Sequence, residues 1–263
     1  MQKVSVRDTA PDQKTHPDIS GARVQSLINS GTVGSHRGML SIAEFESGGE
    51  HKLHRHPNCE QATFLLSGSG LHLTDQGEVP QEAGDAIFVS KGAWHGFRNT
   101  GTEVARLVTL HGAGSLAEAG YESFAGQPDV KRIPRVAIVR LRDLQGDASL
   151  NQEAGFIGLG VFWLITRETV GAENILLGAS TFEPGGVHQH HRHPGGDEIL
   201  FIIDGGGQHL SPEGSVSLYA GEIAYIPANE YHGFDNPPGV LTKTLFGYFG
   251  AGSLSEAGYE VRE

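Results

Sequence analysis

The sequence predicts an all-β protein that consists of one antiparallel unit written twice. Three observations carry this. Turn signals recur every eight to twelve residues with short apolar runs between them, as in a sandwich or barrel. Glycine is abundant, at 38 of 263 residues, and suits many tight turns. The chain also repeats itself: His54, His56 and His95 return 137 positions later as His191, His193 and His232. The same shift carries Phe45 onto Phe182, Gly68 onto Gly205, Gly84 onto Gly221 and Asn99 onto Asn236. A period this long marks duplicated domains, not a solenoid of short units.

The first 20 residues are charged and hold two prolines, so they read as a mobile arm or an exchanged edge segment. The first barrel is expected over 21–125, a linker with Pro128 and Pro134 over 126–134, and the second barrel over 135–263. Met39–Phe45 and Ile175–Phe182 read as apolar strands running into a glycine turn. Ala62–Leu66 and Ile199–Ile203 follow as buried strands. Leu71–Thr74 and Gln208–Leu210 come back from Gly-rich hairpins. Ala86–Val89 and Ile223–Ile226 precede the third histidine of each half, and Val104–Leu110 and Leu241–Phe249 close each unit. Near the ends the shift becomes 138, where Gly-Ala-Gly-Ser-Leu-Ala-Glu-Ala-Gly-Tyr-Glu (112–122) returns at 250–260 with one change. Ser followed three residues later by Glu in both copies predicts a capped short helix.

Charge and composition exclude several classes. Nineteen basic and 31 acidic residues give a net charge of -12, with no basic clusters, which disfavours nucleic acid and anionic membranes as partners. No apolar run reaches the roughly 18 residues of a membrane span. The polar N-terminus lacks a secretory core, and a lone cysteine, Cys59, excludes an internal disulfide, so a cytoplasmic location is expected.

The histidines point to chemistry. His191 and His193 are two apart and face one way on a strand. Glu198 opens the next strand, and His232 lies downstream. Three imidazoles and a carboxylate on adjacent strands are a ligand set for one divalent transition metal. In the first half His54, His56 and His95 repeat the imidazoles, but the position of Glu198 falls on Gln61, with Glu60 beside it. Strand alternation favours Gln61; a shortened loop would favour Glu60. His188 and His190 alternate away from His191 and His193, so they, with His51, are expected to face solvent. His72 and His209 map onto each other on a strand that could line the interior, His209 being the candidate acid/base. Cys59 reads as a small buried residue. Trp94, Phe97, Tyr231 and Phe234 flank the third histidines as packing or pocket wall.

At this point the residues resemble the cupin superfamily. Its first motif, G-x5-H-x-H-x3,4-E-x6-G, is matched by Gly185, His191, His193, Glu198 and Gly205. Its second, G-x5-P-x-G-x2-H-x3-N, is matched by Gly221, Pro227, His232 and Asn236, with Asn229 where glycine is usual. The first half gives Gly48, His54, His56 and Gly68, then Gly84, Gly92, His95 and Asn99, with Ser90 where proline is usual. The chain thus looks like a bicupin. The resemblance implies two tandem double-stranded β-helix (jelly-roll) barrels with short flanking helices, each holding a metal among the motif residues.

It also implies a function. The expectation is a metal-dependent, Fe(II)-type dioxygenase that cleaves a C–C bond in a small aromatic or enol/diketone-like substrate, with dioxygen as co-substrate. Glu198 would be both ligand and catalytic base, assisted by His209. One or two metal ions per chain are expected, iron first, with Mn, Ni, Cu or Zn as alternatives. The alternatives are a non-oxidative metalloenzyme (isomerase, lyase or hydrolase) or a non-enzymatic small-molecule binder. Such proteins often pair through edge strands, so a homodimer is expected.

Overall fold

The computed structural model describes residues 1–13, 16–126, 136–151 and 155–262. Of the expected linker, positions 127–134, with Pro128 and Pro134, lie outside the described residues. The described chain forms two compact units, Ala10–Arg142 and Met1–Thr9 with Asp143–Glu263, each built on one curled antiparallel sheet of ten strands.

The chain opens with β1 (Gln2–Ser5), which belongs to the sheet of the second unit. The first unit then follows as β2 (Ile19–Ile28), β3 (Met39–Arg55), β4 (Gln61–Ser67), β5 (Ser69–Thr74), β6 (Gly77–Glu82), β7 (Asp85–Val89), β8 (His95–Arg98) and β9 (Ala105–His111). Helix α1 (Leu116–Ala119), β10 (Glu122–Ser123) and β11 (Val136–Arg140) complete it. Its strands run β11-β7-β4-β9-β3-β8-β5-β6, with β2 and β10 on β3. Non-sequential neighbours of this kind are what wraps one sheet into a jelly roll. Phe45, Leu65, Phe97 and Leu107 form a core at one end.

The second unit repeats the plan with β12 (Phe156–Ile165), α2 (Arg167–Val170), β13 (Ile175–Arg192), β14 (Asp197–Asp204), β15 (Gly206–Ser211), β16 (Gly214–Tyr219), β17 (Glu222–Ile226), β18 (His232–Asp235), β19 (Thr242–Phe249), α3 (Leu254–Ala257) and β20 (Glu260–Val261). Its order is β1-β17-β14-β19-β13-β18-β15-β16, with β12 and β20 on β13. Phe182, Phe234, Phe246, Tyr248 and Leu176 dominate its core.

Two local features differ from the sequence reading. The glycine turns do not end the apolar strands: β3 and β13 run on through them for 17 and 18 residues, with Gly48 and Gly185 at positive φ (76° and 77°) supplying the bend. Strands also cross the expected domain boundaries. Val136–Arg140, read from sequence as the start of the second barrel, pairs with β7 of the first sheet, and Gln2–Ser5 pairs with β17 of the second. Pairing of an edge depends on registry across the whole fold, which local pattern does not encode.

The repeated motifs have mechanical roles. Asn236 Nδ2 donates to the carbonyls of Phe182, Glu183 and Val240 at 3.1, 2.8 and 2.6 Å. Asn99 does the same for Phe45, Glu46 and Glu103. Ser115 and Ser253 cap α1 and α3 through the amides of Glu118 and Glu256. The Glu carboxylates reach Gly114 N and Gly252 N, one residue before the cap. Asn229 adopts φ of 68°, matching Gly92 at 77°, a conformation asparagine tolerates better than most residues.

Candidate metal centres

Each barrel gathers its predicted imidazoles at the junction of two strands. In the second, β13 presents His191 and His193, β14 presents Glu198, and β18 presents His232 directly opposite His191. All four are buried, and one ligand atom from each lies within 4.8 Å of the others. In the first, β3 presents His54 and His56, and β8 presents His95 opposite His54; these too are buried and converge within 4.8 Å. Gln61, the first residue of β4, turns its Oε1 to 3.1 Å from His95 Nε2. Glu60 does not line this cavity, so the structure brings Gln61, not Glu60, to the imidazoles. The position equivalent to Glu60, Asp197, is bonded to Tyr225 OH and Ala228 N.

The side-chain chemistry fits a cation at both places. Every one of the six imidazoles donates Nδ1–H to a backbone carbonyl. The acceptors are Lys52 (2.8 Å), Gly120 (2.7 Å) and Ala93 (2.9 Å) for His54, His56 and His95. They are Gln189 (2.7 Å), Gly258 and Glu230 (3.0 Å) for His191, His193 and His232. These bonds fix the tautomer and leave the Nε2 lone pair facing the common centre. With Nδ1 protonated, His95 Nε2 and Gln61 Oε1 are two acceptors in contact, an arrangement that a cation satisfies. His191 Nε2 is buried with no hydrogen-bond partner among the described residues.

Electrostatics agree. Burial, then His51, pushes His54 well below its ordinary pKa; burial, then His54, does so for His95, and burial, then His188, for His191. Neutral imidazoles are the form that binds metal. Glu198 differs: burial, the largest single influence, would raise its pKa, but the His232 and His193 imidazoles together hold the carboxyl well below the usual range. His232 is raised in turn: burial, the largest single influence, lowers it, but Glu198 and Glu230 together outweigh that. The carboxylate lies 2.8 Å from His232 Nε2 and 3.3 Å from His193 Nε2, but not aligned as a good hydrogen bond.

Several residues near the centres differ from the sequence reading or are absent from it. His51 and His188 do not face solvent; both are half-buried and line the barrel interiors. The cause is a β-bulge. Between His51 and His54, β3 advances three residues while β8 advances two, and β13 repeats this between His188 and His191. One extra residue inverts the alternation, so His51 joins the face of His54 and stacks on it at 3.8 Å. Tyr121 and Tyr259 complete the pattern. Tyr121 stacks on His54 (4.9 Å) and bonds His51; Tyr259 stacks on His191 (4.6 Å) and contacts His188. Their signal in the sequence is the duplicated Gly-Tyr-Glu that ends the repeated segments 112–122 and 250–260. Trp94, Phe97 and Phe234 are buried, while Tyr231 lies under Arg192.

His72 and His209 lie on β5 and β15 and line the interiors, stacked near His95 (6.4 Å) and His232 (5.9 Å). Neither ring has a hydrogen-bond partner among the described residues, and burial lowers them to about 4 and about 3. Cys59 is buried, and burial raises its thiol to about 12.

Two barrels of Greek-key sheet, each with a cluster of imidazoles inside, define a duplicated metal-binding β-barrel protein. The sequence matches the cupin domain family over residues 41–111 and 178–241, just over half of the chain, and the chain belongs to that family. It resembles Streptomyces cyaneus "Polyketide synthase CurC", at 30% identity over 51% of this chain and 86% of the relative. It also resembles the tetracenomycin polyketide synthase protein TcmJ of Streptomyces glaucescens, at 28% over 40% of this chain and 68% of the relative. Among solved structures, a mutant Bacillus subtilis oxalate decarboxylase superposes with a TM-score of 0.73, covering 95% of this chain and 77% of that one at 16% identity. The Lactobacillus farciminis oxalate decarboxylase–formate complex gives 0.72, covering 95% and 86% at 16% identity. These likenesses establish the bicupin fold. No helix among the described residues is long and apolar enough to cross a membrane.

Proposed function

We propose that the chain is a metal-dependent enzyme acting on a small, mostly apolar molecule with an aromatic or enol/diketone oxygen group. The observation that carries this is the set of six imidazoles, each with Nδ1–H tied to the backbone and Nε2 turned inward. His191, His193, Glu198 and His232 would hold one ion, and His54, His56 and His95 with Gln61 a second. A divalent ion there would act as Lewis acid and template for substrate oxygens. The residues do the rest. The backbone carbonyls orient the imidazoles, the stacked Tyr121 and Tyr259 close one side of each cluster, and Glu198 Oε2 is the buried, ionised oxygen that would accept a proton from substrate. The names of the polyketide synthase relatives support a polycarbonyl or aromatic substrate class. Within this reading, oxygen-dependent C–C cleavage with iron is the leading reaction, and oxygen-free chemistry with another metal is the alternative.

Plasma mass spectrometry on purified protein, followed by oxygen uptake with benzoylacetone and with catechol, tests this. Metal at one or two ions per chain with substrate-dependent oxygen consumption is the expected result. Turnover without oxygen would select the alternative reaction, and protein that takes up no metal on reconstitution would refute both.

A further inference from the structure

The two barrels share a plan, but among the described residues they differ in the room inside. The cavity of the first measures about 310 Å³ and that of the second about 40 Å³. Small-molecule pockets begin at roughly 300 Å³. One rung of side chains across four adjacent strands contributes to the difference. In the second barrel, Trp163 of β12 pairs with Gly178 of β13, Gly178 with Phe246 of β19, and Phe246 with Leu200 of β14. In the first, the same rung reads Ser26 of β2, Ser41 of β3, Thr109 of β9 and Thr63 of β4. Tryptophan, glycine, phenylalanine and leucine have become four hydroxyls. Phe246 packs edge-on against Trp163 at 5.6 Å, and Gly178 must be glycine, since a Cβ there would sit 2.2 Å from the Phe246 ring. The second barrel is filled by its own side chains.

All four hydroxyl residues line the large cavity. Thr63 is 4% exposed, and its Oγ1 has no hydrogen-bond partner among the described residues. An unpaired buried hydroxyl is costly unless something else meets it. Thr63 and Gln61 are two apart on β4, so they share a face about 7 Å apart. Among the described residues no lysine or arginine lines the cavity; its walls are apolar side chains, hydroxyls, histidines, the amides of Asn29 and Gln61 and the carboxylate of Asp12. A dicarboxylate would want a basic side chain there besides the ion, and the Asp12 carboxylate would repel it.

We propose that the first barrel is the ligand-binding barrel, and that its occupant is a neutral β-diketone or hydroxy-carbonyl aromatic carrying a second oxygen about 7 Å from the first pair, met by Thr63. The second barrel is then a closed metal centre. This rests on the functional reading above and assigns the substrate site within it.

The test uses full-length, zinc-loaded protein without oxygen, so that binding is read without turnover. Two probes are titrated by calorimetry, 1-(4-hydroxyphenyl)butane-1,3-dione and benzoylacetone, which lacks the phenol. Thr63→Val is expected to weaken the phenolic probe about tenfold and leave benzoylacetone unchanged. The same variant should raise the melting temperature of the free protein. A residue with only a structural role would not give these opposite signs. Ser41→Gly/Thr109→Phe, which installs the second barrel's filling, should abolish binding of both probes while both metal ions remain. Phe246→Ala should leave probe binding as in wild type, and oxalate should not compete. Probe binding that survives the filled variant, or that is unaffected by Thr63→Val, would overturn the assignment. Metal-loaded wild type that ignores both probes, or that prefers oxalate, would also overturn it. Should the filled variant fail to fold, the Thr63→Val comparison decides alone. Protein that binds no metal would instead refute the functional reading.

Discussion

Replacing Glu198 by glutamine removes the one carboxylate in either imidazole cluster among the described residues, with almost no change of shape. The variant centre then has the composition of the first: three imidazoles and an amide. Glu198 is 7% exposed and held ionised by His232 at 2.8 Å, so its charge is already in place before any ion arrives. Breaking a buried charge pair by removing one partner costs about 3–5 kcal/mol. At 1.4 kcal/mol per decade this predicts that metal affinity at the second centre falls roughly 10²- to 10⁴-fold. The assay is competition with a chromophoric chelator at pH 7.5, in a His56→Ala background that silences the first centre, with circular dichroism to confirm folding. The reciprocal Gln61→Glu, in a His193→Ala background, should tighten the first centre by a similar factor. Affinity of Glu198→Gln within threefold of its parent would refute the reasoning, since the carboxylate would then not be a ligand.

Three further outcomes follow from the geometry. The metal-stripped protein should lose stability on acidification. His72 titrates at about 4 and His51, His188 and His209 at about 3 when folded, against 6.5 unfolded. Between these values the unfolded chain binds more protons, so stability is full above about pH 6.5 and falls as pH drops below it; melting temperatures of chelated protein from pH 8 to 4 check this. Asn236→Ala removes the side-chain donor to three carbonyls, and should cost about 2–4 kcal/mol in urea unfolding. Phe246→Ala should cost about 3–5 kcal/mol, because the buried ring supports Trp163 and Tyr248, and denaturant midpoints would show it.

What sequence revealed and what it hid divide along physical lines. The imidazole clusters were legible because ligand identity and strand alternation are both local. His54 and His56, like His191 and His193, need only a two-residue spacing to share a face. The glutamine at 61 was legible as a departure, through the repeat. His51 and His188 were not, because a bulge depends on the partner strand and adds a residue that no local pattern announces. Nor was the contrast between Thr109 and Phe246, since a rung is composed of four strands distant in sequence. The homes of Gln2–Ser5 and Val136–Arg140 were hidden for the same reason. His111 was also passed over; it lies beside Gln61 on the neighbouring strand, its ring edge-on to His56 at 4.8 Å.

The pairing of β1 with β17 has a consequence in time. Gln2–Ser5 leaves the ribosome more than 200 residues ahead of its partner, Glu222–Ile226. At about 5–20 residues per second, that is a wait on the order of 10–40 s. The first sheet has all its strands by Arg140 and can close during synthesis. The N-terminal strand stays unpartnered throughout, a free edge of the sort that recruits other chains. Closing so long a loop is also the slowest kind of contact to form. The two halves, alike in plan, are therefore set to mature on different clocks, the second sheet waiting on a strand made before the first.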